Sequence, residues 1–188
     1  MKIKELLEKY PFLKIKDDES LESAMESNWR TYWDGLGWER LWKRFLDEIL
    51  KIYDSWSEER KVLFRIMDCK EKWGSLRVDI YGGDERTNEA EDILCMLSQW
   101  TCYKCGKVSR DSKGKLLIWE MGGWVLPLCK ECARKEGLSK KEIEKSRLKK
   151  SKFLLTSWNK NGKMTKEYEE SDGWLKLKKI KIEKEEAK

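Results

Sequence analysis

Two Cys-x-x-Cys pairs, Cys102 with Cys105 and Cys129 with Cys132, are the residues whose type and spacing most directly imply chemistry. Thiolates are soft, strong zinc ligands, and a two-residue gap brings both sulfurs of one turn onto adjacent corners of a tetrahedron. Two such turns complete four-coordination. With cysteine at all four positions the ion has no open corner for water or substrate, so the pattern predicts one structural zinc ion (Zn2+), not a catalytic one. A thioredoxin-like redox dithiol needs only one pair, and it needs a surrounding βαβ pattern that is missing. Cys69 and Cys95 lie outside the pairs in apolar segments and read as buried small hydrophobes.

A second constellation is Lys70, Lys72, Trp73 and Arg77, with Glu71 beside them and Tyr81 and Trp124 as further aromatic groups. Cations interleaved with a flat ring suit nucleotide recognition, charge for the phosphate and a π-face for the base. The same alternation also fits the solvated face of a hairpin, so both readings stay open. Histidine is absent, which removes the side chain best suited to proton transfer at neutral pH and the usual serine and cysteine pairings. Glu71, Asp79 and Asp84 could act as acid or base, but no partner group is marked out by spacing. The enzyme question is therefore left uncertain, leaning towards a non-enzymatic protein.

These groups need elements to position them. A helix over residues 2 to 10 ends at Pro11. Trp38, Leu41, Trp42, Phe45, Leu46, Ile49, Leu50 and Tyr53 recur at three and four residues, predicting an amphipathic helix that begins at about residue 37, after the glycines of Trp-Asp-Gly-Leu-Gly-Trp. Val62 to Cys69 and Leu76 to Tyr81 read as two paired strands, joined by a connection whose Gly74 permits a tight reversal. Ala90, Ile93, Leu94, Leu97 and Thr101 lie on one helical face, so a further helix delivers the chain to Cys102. Between the cysteine pairs, Lys115 to Glu120 and Trp124 to Leu128 read as strands, and a helix follows Cys132. That order is the order of a treble-clef finger, with a zinc ribbon as the close alternative.

Beyond the finger, Ser139-x-x-Glu142 has capping-box spacing and predicts a helix to about Lys150. A meander follows over Phe153 to Trp158, a segment through Tyr168, and Trp174 to Ile182. Leu175 and Leu177 alternate out of phase with Ile180 and Ile182, which fits a bulge at Lys178-Lys179 or a frayed end. The fold class is thus α+β: a small antiparallel sheet with amphipathic helices, an inserted treble-clef or zinc-ribbon finger, and a C-terminal helix plus β-meander extension. Residues 1–138 form the body with its finger at 101–137, and residues 139–188 the extension.

Charged residues make up 40% of the chain and the apolar set 39%, a globular balance with a heavily solvated surface. Residues 139–188 hold 16 Lys or Arg against 9 Asp or Glu, so the extension carries +7 of the net +6 and the body −1. A basic extension suits an acidic partner such as nucleic acid, and equally suits plain solubility. The charged N-terminus does not resemble a secretory signal, and no stretch approaches membrane-span length. A cytoplasmic location with no membrane partner is the expectation.

The run Lys-Glu-Lys-Trp-Gly-Ser-Leu-Arg (70 to 77), followed by Thr-Cys-Tyr-Lys-Cys-Gly (101 to 106) and Gly-Gly-Trp-Val-Leu-Pro-Leu-Cys-Lys-Glu-Cys (122 to 132), resembles a family of small uncharacterised phage and prophage proteins. In that family a Lys-Glu-Lys-aromatic-Gly-x-Leu-Arg hairpin precedes a treble-clef-like zinc finger. The resemblance covers about residues 30 to 135 and extends to the Gly-Trp-rich entry of the long helix. Relatives often carry histidine at the last ligand position, where this chain has Cys132, and many end soon after the finger. The resemblance implies a viral or mobile-element origin, a host-cell cytoplasmic location and a zinc-stabilised fold, but no reaction. The functional expectation is a non-enzymatic, phage-encoded, zinc-stabilised binding protein that recognises nucleic acid through a basic and aromatic surface. The alternative is a phage counter-defence protein that inhibits a host immune component or sequesters a nucleotide signal near Lys70, Lys72, Trp73 and Arg77.

Overall fold

The computed structural model describes residues 3–13, 37–108, 118–121, 124–139, 141, 154–159, 162–171 and 174–183. Its contacts divide the chain into two units, Met1–Leu148 and Lys149–Lys188. Helices and antiparallel sheets occur together, an α+β arrangement. Among the described residues no helix is long and apolar enough to cross a membrane.

In the first unit, helix α1 (Ile3–Lys9) precedes the long helix α2 (Glu39–Asp54), which buries the expected stripe of Leu41, Trp42, Phe45, Leu46 and Ile49. A short helix α3 (Glu58–Leu63) leads into β1 (Arg65–Lys72), which pairs antiparallel with β2 (Ser75–Tyr81). Val62 and Leu63 belong to α3, not to a strand, and both are exposed, while Phe64, the residue that ends the helix, is fully buried. Glu58 and Glu59 occupy the first turn of α3 and Arg60 and Lys61 the last, an arrangement that favours the helical dipole.

Helix α4 (Glu85–Gln99) packs on both α2 and β2. Its start is fixed by a reciprocal capping box: Asp84 accepts from the N–H of Thr87, and the Thr87 hydroxyl takes the N–H of Asp84. The free edge of β2 is closed by two α4 side chains. Ser98 Oγ accepts from the N–H of Leu76 at 2.8 Å, and the Glu91 carboxylate accepts from the N–H of Val78. An edge strand whose outward N–H groups are taken by a neighbouring helix offers a poor template for a stray strand. Cys69 and Cys95 are buried, as expected of small hydrophobes.

After Cys102, strands β3 (Ile118–Met121) and β4 (Trp124–Pro127) form a second hairpin, and the short helix α5 (Lys130–Lys135) follows. The helix expected from Ser139 to Lys150 lies largely outside the described residues.

The second unit is a meander of β5 (Leu154–Asn159), β6 (Gly162–Ser171) and β7 (Trp174–Glu183). Leu177 pairs with Tyr168 and Lys179 with Glu167, so Lys178 is the extra residue of a bulge. The insertion corrects the phase of the strand: Leu177, Ile180 and Ile182 stand opposite Tyr168, Lys166 and Met164, alternate positions on one face of β6.

Candidate metal centre and basic hairpin

The four paired cysteines converge. Cys102, Cys105, Cys129 and Cys132 present their sulfur atoms within 4.8 Å of one another, a group able to hold one metal ion. Cys102 and Cys105 come from a tight knuckle in which the N–H of Gly106 returns to the carbonyl of Cys102 at 2.9 Å and the N–H of Cys102 donates to Lys107 O at 2.9 Å. Gly106 holds φ +71, the left-handed conformation a knuckle requires of the residue after its second cysteine. Cys129 is the N-cap of α5 and Cys132 lies in its first turn, with the Cys132 N–H directed at Cys129 Sγ at 3.4 Å.

Burial differs among the four: Cys102 and Cys129 are buried, Cys132 is half-buried and Cys105 is exposed. Their acidities diverge accordingly. Burial acts to raise the Cys129 thiol, but the N–H of Cys132 and the neighbouring thiols outweigh it and hold Cys129 below the ordinary value. Burial, reinforced by hydrogen bonding with Cys129 and Cys105, pushes Cys132 far up, and burial also raises Cys102. Cys129 is therefore a thiolate more readily than Cys102 or Cys132. A bound cation would draw Cys102 and Cys132 to the thiolate form as well.

The centre is anchored at several points within its unit. An apolar cluster of Cys102, Leu128, Cys129 and Ala133 backs the thiols, with Tyr103, Leu126 and Leu138 against it. The N–H of Tyr103 donates to Pro127 O at 2.7 Å, joining the knuckle to β4. The start of α2 adds a third contact: Gly37 N–H donates to Tyr103 O at 2.7 Å, and Trp38 Nε1 donates to Thr101 O at 2.9 Å. The Trp38 ring meets Tyr103 edge-on with centroids 5.1 Å apart. Gly37, Trp38 and Tyr103 are supporting residues that sequence reasoning missed. Gly37 reads as a helix breaker and Trp38 as core, and no spacing rule links them to a segment more than sixty positions away.

Lys70, Lys72 and Arg77 fall on one face of the β1–β2 hairpin. Lys70 stands directly across from Arg77, and Lys72 from Ser75, with all three cations exposed. The next row outward on that face is Asp68 opposite Asp79, and Lys70 forms an ion pair with Asp68. Tyr81 lies at the far end opposite Arg65, whose guanidinium sits 5.0 Å from its ring centroid, so it does not join the cationic row. The side chain of Trp124 lies outside the described residues. The strands run to Lys72 and Ser75, leaving Trp73 and Gly74 as a two-residue turn with φ 55 and 75. Left-handed values at both positions match the primed turns that suit the twist of a hairpin, but bulky residues seldom occupy the first of them. Glu71 faces the other way, and its carboxylate accepts the N–H of Gly74 at 2.8 Å, bracing the turn from beneath. Trp73 itself is 74% exposed.

No protein family, curated protein or solved structure matches the chain.

Proposed function

We propose that this chain is a non-enzymatic, zinc-stabilised binding protein that recognises nucleic acid through the basic and aromatic end of the β1–β2 hairpin, aided by the basic segment 139–188. For the metal, the supporting observation is the sulfur spacing. A tetrahedral zinc with Zn–S bonds of about 2.3 Å separates neighbouring sulfurs by about 3.8 Å, and Cys105 Sγ lies 3.7 Å from Cys129 Sγ. Knuckle, hairpin and helix carrying the second pair in its first turn follow the order of a treble-clef finger. Four thiolates leave no coordination position for a reacting group, so the ion's role is to hold the finger together.

The observation that carries the binding reading is the juxtaposition of three exposed cations with an exposed tryptophan at the hairpin tip. Charge and a free π-face are what phosphate and base each require. The counter-defence alternative, in its nucleotide-sequestering form, needs these cations to enclose a ligand. At the tip of a two-stranded ribbon they favour an extended ligand over an enclosed one.

The test is direct. Purified protein is expected to contain about one zinc per chain by elemental analysis, and to bind labelled oligonucleotides at low salt with affinity that falls as salt rises. Absence of binding at the lowest salt, where phosphate neutralisation is strongest, refutes the nucleic-acid reading. Absence of zinc refutes the metal reading independently.

A further inference from the structure

We propose that the β1–β2 hairpin tip is a short single-strand site, in which one unpaired base stacks on Trp73 while Lys70, Lys72 and Arg77 hold the adjoining phosphates. This rests on the nucleic-acid reading above and narrows it to a substrate class. Three observations carry it: the backbone of Trp73, the length of the cationic row, and what bounds that row.

Trp73 occupies φ 55 while remaining 74% exposed. A large L-residue in the left-handed region is strained, and asparagine or glycine ordinarily fills this position of a primed turn. Burial of the ring offers little in return. Among the described residues no ring packs on the indole and no cation stacks over its face, unlike Trp38, Trp42 and Trp56, which are buried against other rings. Strain kept where packing gains nothing points to a ligand. An indole projecting from a two-residue turn presents a face large enough to stack on a base.

The cationic row is short. Lys70 and Lys72 stand about 7 Å apart along the strand and Arg77 about 5 Å across from Lys70, enough for about two or three phosphates. The Lys72 ammonium has no ion pair among the described residues, while Lys70 is partnered by Asp68. The row then meets Asp68 opposite Asp79 on the same face, a carboxylate pair that repels a continuing phosphate backbone.

That boundary separates single strand from duplex. A β-ribbon lying in a major groove sets several successive rows of side chains against bases and two phosphate rails, and here the row after Lys70 and Arg77 is acidic. Base faces inside a duplex are also covered by their neighbours, whereas an unpaired base offers both faces to Trp73.

The experiment uses the full-length, zinc-loaded protein with two fluorescein-labelled probes, an oligothymidylate and a duplex of the same length, each about a dozen nucleotides. Anisotropy is followed from about 50 to 200 mM salt. Trp73→Asn is the central variant, because asparagine accepts the left-handed turn and keeps the hairpin folded while removing the ring; its melting midpoint should equal or exceed that of the parent. The oligothymidylate is expected to bind more tightly than the duplex, with a log–log salt slope at least as steep as the about −1.4 to −2.1 that two or three phosphates at the hairpin give. Trp73→Asn should weaken binding by about five- to a hundred-fold, and Trp73→Phe should retain most of it. Duplex bound as tightly as the oligothymidylate, or an unchanged Trp73→Asn, overturns the single-strand site and leaves nucleic-acid recognition standing. Binding of neither probe at low salt overturns both.

Discussion

Gly37 is pressed against the carbonyl of Cys102: a Cβ built on Gly37 would fall 2.1 Å from that oxygen, and equally 2.1 Å from the backbone nitrogen of Gly106. No side chain fits that gap without moving the backbone that carries Cys102 and Cys105. The entry to α2 and the thiol knuckle are thus packed as one piece, with Trp38 Nε1 on Thr101 O completing the contact. The four-cysteine cluster is therefore packed against the start of α2.

Gly37→Ala is accordingly expected to destabilise the protein by about 1–3 kcal/mol or more, the cost of overpacking a closed site. At about 2–4 °C per kcal/mol for a chain of this size, that is a readily measured fall in melting midpoint. Chelator competition should show weaker metal retention in the same variant. Were Gly37→Ala to melt like the parent and hold its metal as well, the close approach of α2 to the knuckle would be wrong.

Removing the metal should act locally first. Helix α5 spans Lys130–Lys135, too short to persist alone, and the β3–β4 hairpin has only two strands. A strong chelator is expected to abolish hydrogen-exchange protection in α5 and β3–β4 while α4 and the β1–β2 hairpin keep theirs. Cys129→Ser should be more damaging than Cys105→Ser, because Cys129 is buried and caps α5 while Cys105 is exposed. Protection unaffected by chelation would contradict a structural ion.

What was legible in the sequence was whatever depends on local period or on strong chemistry. The stripe from Trp38 to Ile49 predicts α2, the two cysteine pairs predict a convergence of sulfurs, and the lost phase between Leu177 and Ile180 fits a bulge at Lys178-Lys179 or a frayed end, of which the structure has the bulge. Val62 to Phe64 failed because an apolar run does not reveal which of its members is buried. Only Phe64 turns inward, while Val62 and Leu63 end a helix in the open. The Asp84-x-x-Thr87 box could have placed the start of α4 five residues earlier than the apolar stripe does. The contacts of Gly37 and Trp38 with the knuckle, and of Ser98 with the edge of β2, are tertiary and leave no mark on local pattern.

Acid should unfold the first unit through two carboxylates. Burial alone would raise Asp84, but Arg86, the Thr87 N–H and Trp56 Nε1 outweigh it and hold it below the usual range; Lys9 and Tyr10 likewise outweigh burial at Asp47. A depressed native pKa contributes stability that is fully present above the unfolded value of about 3.9, and that is lost as pH falls through the native value. Glu91 runs the other way, because burial raises it, so its contribution favours the folded state more as pH falls towards its unfolded value. Asp84→Ala is expected to cost about 0.5–2 kcal/mol at neutral pH as a lost N-cap. It should also flatten the decline of melting midpoint below about pH 4. An unchanged acid slope would remove Asp84 from this account.

Ser98 offers the sharpest test of how the hairpin is held. It is fully buried, its Oγ accepts from Leu76 N and its hydroxyl donates to Cys95 O at 2.8 Å. Ser98→Ala leaves a buried N–H on β2 without a partner, at a cost of about 1–3 kcal/mol, and the added freedom falls on the strand that carries Arg77. Exchange of the Leu76 amide should accelerate more than that of amides in α2. Ser98→Thr keeps the oxygen but adds a methyl group in a closed space, so it should recover the Leu76 protection only at some packing cost. If Ser98→Ala left both the Leu76 exchange rate and the melting midpoint unchanged, the Ser98 contact would not contribute to stability, and Glu91 on the Val78 N–H would be the α4 side chain left to close the edge of β2.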